Sequence, residues 1–141
     1  MAIEIAKNDD LAAILSFDTH IPQERLLRCI QDGQVCVLRI HNEIMGVMRW
    51  SLFWQSIPFL DLIILDEEIR GRGYGSKMML YWEEMMKNQG YHYVLLSTQA
   101  DEDAQFFYEK LDYRKAGSFL PPMKQAQELI YSKKISLSSS H

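Results

Sequence analysis

The sequence predicts an α/β (α+β) fold, a mixed domain built around one sheet. Three observations carry that expectation. Short apolar runs alternate with stretches of helical spacing, in the order two helices, a β meander, strand–helix–strand–helix and two trailing strands. One strand–helix junction, Arg70-Gly71-Arg72-Gly73-Tyr74-Gly75-Ser76, is rich in glycine. The 141 residues, 48% of them hydrophobic, suffice for one core and are too few for two ordinary domains. We expect a single domain over residues 1–135, a disordered tail over 136–141, and ligand chemistry at the strand ends.

Ile3 to Ala6 reads as a short strand. Asn8-Asp9-Asp10 caps a helix whose Leu11, Ile14 and Leu15 share one face. Pro22 suits a first helical position, Leu26, Leu27 and Ile30 form the stripe that follows, and Gly33 ends it. Gln34 to Ile40 and Ile44 to Trp54 read as strands around a tight His41-Asn42-Glu43 turn, with Gly46 a bulge position. Pro58 to Leu65 is the next strand. After the glycine turn, Ser76 to Gln89 is an amphipathic helix whose Met78, Met79, Trp82, Met85 and Met86 form a core stripe, stopped by Gly90. Tyr93 to Thr98 is a buried strand. Asp101 caps a second helix with Ala104, Phe107, Tyr108 and Leu111 at i, i+3, i+4 and i+7. Tyr113 to Leu120 and Glu128 to Lys134 are strands around Pro121-Pro122, and the last of them reads as an exposed edge on which a homodimer would pair.

Composition narrows the partners. A formal net charge of −4 argues against a broad nucleic-acid-binding surface. No apolar run is long enough to span a bilayer, and Met1 to Ile5 lacks the basic start of a signal peptide, so a cytoplasmic protein without a membrane partner is expected. Cys29 and Cys36 read as small buried hydrophobes, and no His, Cys and carboxylate cluster has metal-ligand spacing, so no metal is expected. His20, His41, His92 and His141 read as surface residues.

The glycine turn is the most informative segment. Glycines let the backbone adopt φ > 0 and approach a ligand closely. The free N–H groups of the following first helical turn converge on one place with the helix dipole behind them, and Arg70 and Arg72 flank that place. The expected guest is a phosphate or pyrophosphate. A Walker-type loop would end in Gly-Lys-Ser/Thr, which is absent. A dinucleotide fingerprint would need an acid about 20 residues on, and the strand that follows ends without one.

Arg70-x-x-Gly73-x-Gly75, placed between a strand and a helix, resembles the pyrophosphate loop of the GNAT superfamily, the acyl-CoA-dependent N-acyltransferases. Asp101-x-x-Ala104-x-x-x-Tyr108-x-x-x-Asp112-Tyr113 resembles that family's N-x-x-A-x-x-x-Y-x-x-x-G-[FY] helix, and the element order fits from Ile3 to Lys134. The sequence departs from the pattern twice. Asp101 stands where Asn usually contacts the pantetheine arm, and Asp112 stands where Gly is usual, a position that often needs a left-handed backbone.

The resemblance implies a single mixed, mostly antiparallel sheet with helices on both faces. It implies an N-acetyltransferase that uses acetyl-CoA as co-substrate and a small-molecule or peptide amine as acceptor. The amides of Gly71, Arg72, Gly73, Tyr74, Gly75 and Ser76 would hold the pyrophosphate, with charge from Arg70 and Arg72. The backbone of Ile63, Ile64 and Leu65 would pair with the pantetheine amides, in a cleft beside the Tyr93–Thr98 strand. Asp101 would contact the cofactor or serve only as a cap. Tyr108 would protonate the departing thiolate or act as a core tyrosine.

Asp61 interrupts the apolar run Phe59-Leu60-Asp61-Leu62-Ile63-Ile64, where a charge is costly without a task or a partner. It reads as the general base for the acceptor amine, with a structural pairing to Arg49 as the competing reading. Strand alternation puts Trp50 and Trp54 on one face and Phe53 on the other, so the aromatics divide between a core and an acceptor wall. Phe17, Ile21, Glu24, Trp50 and Trp54 are the acceptor-side candidates. The competing function is a catalytically silent acyl-CoA-binding or sensing module on the same fold.

Overall fold

The computed structural model describes residues 1–100 and 103–136. Its elements are β1 (Ala2–Ile5), α1 (Leu11–Leu15), α2 (Gln23–Gln31), β2 (Val35–Ile40), β3 (Glu43–Phe53), β4 (Ile57–Leu65), α3 (Tyr74–Asn88), β5 (Tyr93–Gln99), α4 (Ala104–Lys110), β6 (Arg114–Phe119) and β7 (Glu128–Lys134), with single 3-10 turns at Asn8–Asp10 and Glu67–Ile69. The strands form one sheet in the order β1-β2-β3-β4-β5-β7-β6. The β4–β5 pair is parallel, and the β1–β2, β2–β3, β5–β7 and β6–β7 pairs are antiparallel. This is the mixed, mostly antiparallel sheet expected. The chain divides into two compact units, Met1–Ser51 with Asp61–Tyr81, and Leu52–Leu60 with the chain from Trp82 onward.

In the first unit, Ala6, Ile14, Leu26, Ile30, Val35, Val37 and Val47 form a core against which Phe17, Ile21, Leu62 and Ile64 pack. Pro22 sits one place earlier than expected, as the N-cap of α2, its carbonyl accepting from Arg25 and Leu26. The β2–β3 turn is the two-residue kind: His41 and Asn42 have φ 52° and 66°, and the flanking Ile40 and Glu43 pair across it. Further along, Leu38 pairs with Gly46 but Arg39 with Ile44, so Met45 is an extra, bulged residue. A Cβ on Gly46 would lie 2.8 Å from Leu65 Cδ2 and 3.2 Å from both Leu38 Cβ and Met78 Sδ, so a larger residue would push the Leu65 methyl aside and crowd Leu38 and Met78. Asp10 accepts from the Lys7 amide at 2.9 Å and from Arg39 Nη2 at 2.6 Å, and Arg39 also bonds Glu4, which ties β1 and the first helical turn to β2.

In the second unit, β7 lies between β5 and β6. This corrects the expectation that Glu128–Lys134 is an exposed edge. The difference between the two strands shows in their burial. Within β7, Leu129 and Tyr131 are buried, as suits a strand paired on both sides, whereas every residue of β6 (Arg-Lys-Ala-Gly-Ser-Phe) is exposed, as suits an edge. β3 ends at Phe53, and Trp54 and Gln55 turn away with φ 55° and 59°. Strand alternation therefore does not reach Trp54.

The end of α4 explains the spacing from Tyr108 to Tyr113. The Tyr113 amide donates to the Tyr108 carbonyl at 3.1 Å and the Asp112 amide to the Glu109 carbonyl at 3.1 Å, with Asp112 left-handed at φ 71°. That pair of bonds is a Schellman motif, and the apolar contact that accompanies it is the edge-on Tyr108–Tyr113 ring pair, 5.9 Å between centroids. The left-handed residue would be least strained as glycine. We predict that Asp112→Gly raises stability by about 0.5–1 kcal/mol, read from the denaturation midpoint. A loss of stability would show that the Asp112 side chain contributes more than its backbone strain costs.

Candidate active site

The turn from Leu65 to Tyr74 is built by local bonds, all within the first unit. The Asp66 amide donates to the carbonyl of the bulged Met45 at 2.8 Å, and the Asp66 carboxylate accepts from the Glu68 amide at 2.9 Å. Arg70 Nε returns to the Leu65 carbonyl at 3.1 Å. Gly71 and Gly73 have φ 75° and 85°, and a Cβ on either would meet open space. The constraint on these glycines is therefore conformational, and the space beside the backbone is free for a guest. The Gly73 carbonyl accepts from the Lys77 amide at 3.2 Å, which opens α3. Tyr74, Gly75 and Ser76 form its half-buried first turn, and Arg72 is exposed. The Lys77 ammonium lies 5.5 Å from the Tyr74 ring centroid.

The parallel β4–β5 ladder consists of Phe59↔Leu95 and Leu60↔Leu96, and β4 runs on through Asp61 and the half-buried Ile63, Ile64 and Leu65. Asp61 faces Arg49, whose Nη1 stands 3.8 Å from Asp61 Oδ2, while Arg49 Nε bonds Asp18 Oδ2 at 2.7 Å. Burial pushes the Asp61 carboxyl above its ordinary value, against the lowering pull of the Ser51 hydroxyl bond and the Arg49 charge. Asp61 thus has an arginine neighbour, and burial outweighs the pull of that neighbour's charge. Asp18 carried no signal in the sequence, because its partner lies 31 residues away.

On the acceptor side of the expectation, Phe17 and Ile21 pack against the core of the first unit. Glu24 is exposed on α2, lining a cavity of about 450 Å³ with Arg25, Arg28 and Cys29. Trp50 is buried, its amide donating to the Gln34 carbonyl at 3.1 Å. In the second unit, Trp54 is 79% exposed with its ring 4.7 Å from that of Phe53.

Tyr108 is 7% exposed in α4, its ring packed on Phe107 and Tyr113. Beside it lies a group the sequence did not announce. Buried Glu83 accepts from the Tyr113 hydroxyl and from Lys133 Nζ, both at 2.8 Å, and burial together with the Glu83 charge raises the Tyr113 phenol far above its ordinary value. Asp101 lies outside the described residues; the N-cap position of α4 is Asp103. Burial pushes the Cys36 thiol up to about 12 and raises that of Cys29. Among the described residues, no group of three or more His, Cys, Asp or Glu could hold a metal ion, and no helix is long and apolar enough to cross a membrane.

Known structures share this fold across nearly the whole chain. The ribosomal-protein-S18-alanine N-acetyltransferase of Escherichia coli superposes with a TM-score of 0.82 at 15% identity, covering 99% of this chain and 96% of its own. An aminoglycoside 6'-N-acetyltransferase complexed with coenzyme A gives 0.81 at 14% identity, over 97% and 98%. The yncA protein of Salmonella typhimurium, with its cofactor acetyl-CoA, gives 0.82 at 12% identity, over 99% and 96%. Among curated proteins none matches the sequence. Residues 3–113 match the family model described as the acetyltransferase (GNAT) family. That match spans both the turn at Arg70–Ser76 and the helix end at Tyr108–Tyr113, and by it this chain belongs to the GNAT acetyltransferase family.

Proposed function

We propose that this chain is an N-acetyltransferase that moves an acetyl group from acetyl-CoA directly to a primary amine of a small molecule or peptide. The observation that carries the reading is the Leu65–Tyr74 turn, where two left-handed glycines lead into the start of a 15-residue helix with open space beside their backbone. Amides from Gly71 to Ser76 would hold the CoA pyrophosphate, and Arg70 and Arg72 add charge. The backbone of Ile63 to Leu65 would pair with the pantetheine arm, and an N–H near Leu65 would polarise the thioester carbonyl. The bound coenzyme A and acetyl-CoA in two structural neighbours support the same co-substrate here.

In the reaction, Asp61 takes a proton from the acceptor ammonium, directly or through water, and the neutral amine attacks the thioester carbon. The C–N bond forms, the C–S bond breaks as the tetrahedral intermediate collapses, Tyr108 protonates the CoA thiolate, and the nitrogen's remaining extra proton passes through solvent to restore the Tyr108 phenol. Direct transfer is favoured over an acyl-cysteine because Cys29 and Cys36 lie outside both motifs and burial raises both thiols, which disfavours the thiolate that would attack. Trp54 offers the acceptor an exposed aromatic face suited to a flat group or an ammonium.

Two variants test this reading. Gly73→Val forces a β-branched residue to φ 85° and fills the space beside the turn, so acetyl-CoA binding measured by calorimetry should be lost while the circular dichroism spectrum stays native. Undiminished binding by the folded variant would undo the pyrophosphate assignment. Tyr108→Phe should lower kcat by roughly ten- to a thousand-fold with acetyl-CoA affinity unchanged, as removal of a general acid does. Full turnover by the variant would take Tyr108 out of the mechanism.

A further inference from the structure

Arg49 stands between two carboxylates and serves them unequally. Its Nε bonds Asp18 at 2.7 Å, within hydrogen-bond range, while its Nη1 stays 3.8 Å from Asp61, beyond it. Asp18 is 3% exposed, and its amide donates to the Ile14 carbonyl at 2.9 Å, so the end of α1 anchors it. A carboxylate buried that deeply needs a hydrogen-bonded counter-charge, and Arg49 supplies it. Asp61, with 28% of its side chain exposed, receives only the outlying edge of the guanidinium. The groups that act on Asp61 are Arg49 and Ser51 from β3 and Asp18 from the segment after α1; the Asp61 charge is in turn felt by the Cys29 thiol on α2.

We propose that Asp18 and Arg49 are positioning residues for Asp61: by holding the guanidinium at its Nε edge, Asp18 keeps Arg49 from closing a two-pronged pair on Asp61, and so leaves that carboxylate able to accept a proton from the acceptor. An arginine free of Asp18 would turn its planar fork to the nearest carboxylate. Asp61 would then be held as an ion and would make a poor base. Two carboxylates sharing one guanidinium also leave one negative charge on the cluster, which favours a cationic amine over an acceptor whose own carboxylate lies beside the amine. The inference rests on the assignment of Asp61 as the base.

The test is a carbon-13 NMR titration of the Asp61 carboxyl in the full chain, its resonance identified by its loss in Asp61→Asn. Asp18→Asn, which keeps the side-chain shape, should lower the Asp61 midpoint by about one pH unit, because Arg49 is released onto it and the Asp18 charge is gone. Arg49→Lys, which keeps the charge, should raise the midpoint by about half a unit or more, because a single ammonium goes to the buried Asp18 and leaves Asp61 alone. Amide spectra establish that each variant is folded, and the sign of the shift in either one alone decides. An unmoved midpoint in a folded variant, or shifts of the same sign in both, would overturn the proposal.

The pH profile of kcat/KM with an accepted amine separates this inference from the one beneath it. The acid limb should follow the NMR midpoint, with the plateau of Asp18→Asn lowered about ten-fold, as a weaker base predicts. A limb that stays fixed while the midpoint moves would remove Asp61 from the base role and leave the charge arrangement standing.

Discussion

The 2.8 Å bond from the Asp66 amide to the Met45 carbonyl anchors the turn from Leu65 to Tyr74. It exists because β3 carries one residue too many opposite β2, which turns the Met45 carbonyl out of the ladder and toward the end of β4. Gly46, next to the bulge, has no Cβ, so Leu65 can pack against that part of β3. From this anchor the chain has little freedom. The Asp66 carboxylate caps the 3-10 turn at Glu67–Ile69, Arg70 reaches back to the Leu65 carbonyl, and the backbone passes through two left-handed glycines into α3. A row of helix-start amides is thereby set close after the last residues of β4.

The second unit applies the same economy at the end of α4. Tyr108 is not placed by side-chain bonding alone. Its carbonyl accepts from the Leu111 and Tyr113 amides, and its ring is held edge-on by the Tyr113 ring. Tyr113 is locked in turn by a buried Glu83, which Lys133 neutralises. The hydrogen bond from the Tyr113 amide to the Tyr108 carbonyl thus belongs to both the backbone turn and the aromatic pair.

Much of this was legible in the sequence because much of it is local. Glycine turns, helix stripes and two-residue hairpins depend on neighbours within a few residues, and among the described residues the strands and α-helices stand close to where the pattern puts them. The αL position at Asp112 was legible through the family resemblance, which puts Gly there. What the pattern missed is non-local. The insertion of β7 between β5 and β6 depends on which strand finds which partner, and nothing in Glu128–Lys134 alone decides that. The Asp18–Arg49 and Glu83–Lys133 pairs join residues 31 and 50 apart, so their charges read as ordinary surface residues until the fold brings them together. Trp54 escaped because two left-handed residues, Trp54 and Gln55, end strand alternation abruptly after Phe53. Of the proposed site, motif spacing singled out the turn and Tyr108 and apolar surroundings singled out Asp61, while nothing in the sequence pointed to Asp18 beside Arg49.

The central claim is that the Leu65–Tyr74 turn binds acetyl-CoA through its pyrophosphate and that an amine then takes the acetyl group. Calorimetric titration with acetyl-CoA, alongside free pantetheine and a dephosphorylated nucleotide, followed by CoA release across a panel of amines, tests it most directly. The account predicts saturable binding of acetyl-CoA, no comparable binding of the two ligands that lack the pyrophosphate, and CoA release with a cationic amine. Absence of acetyl-CoA binding, or equal binding of free pantetheine, would contradict it.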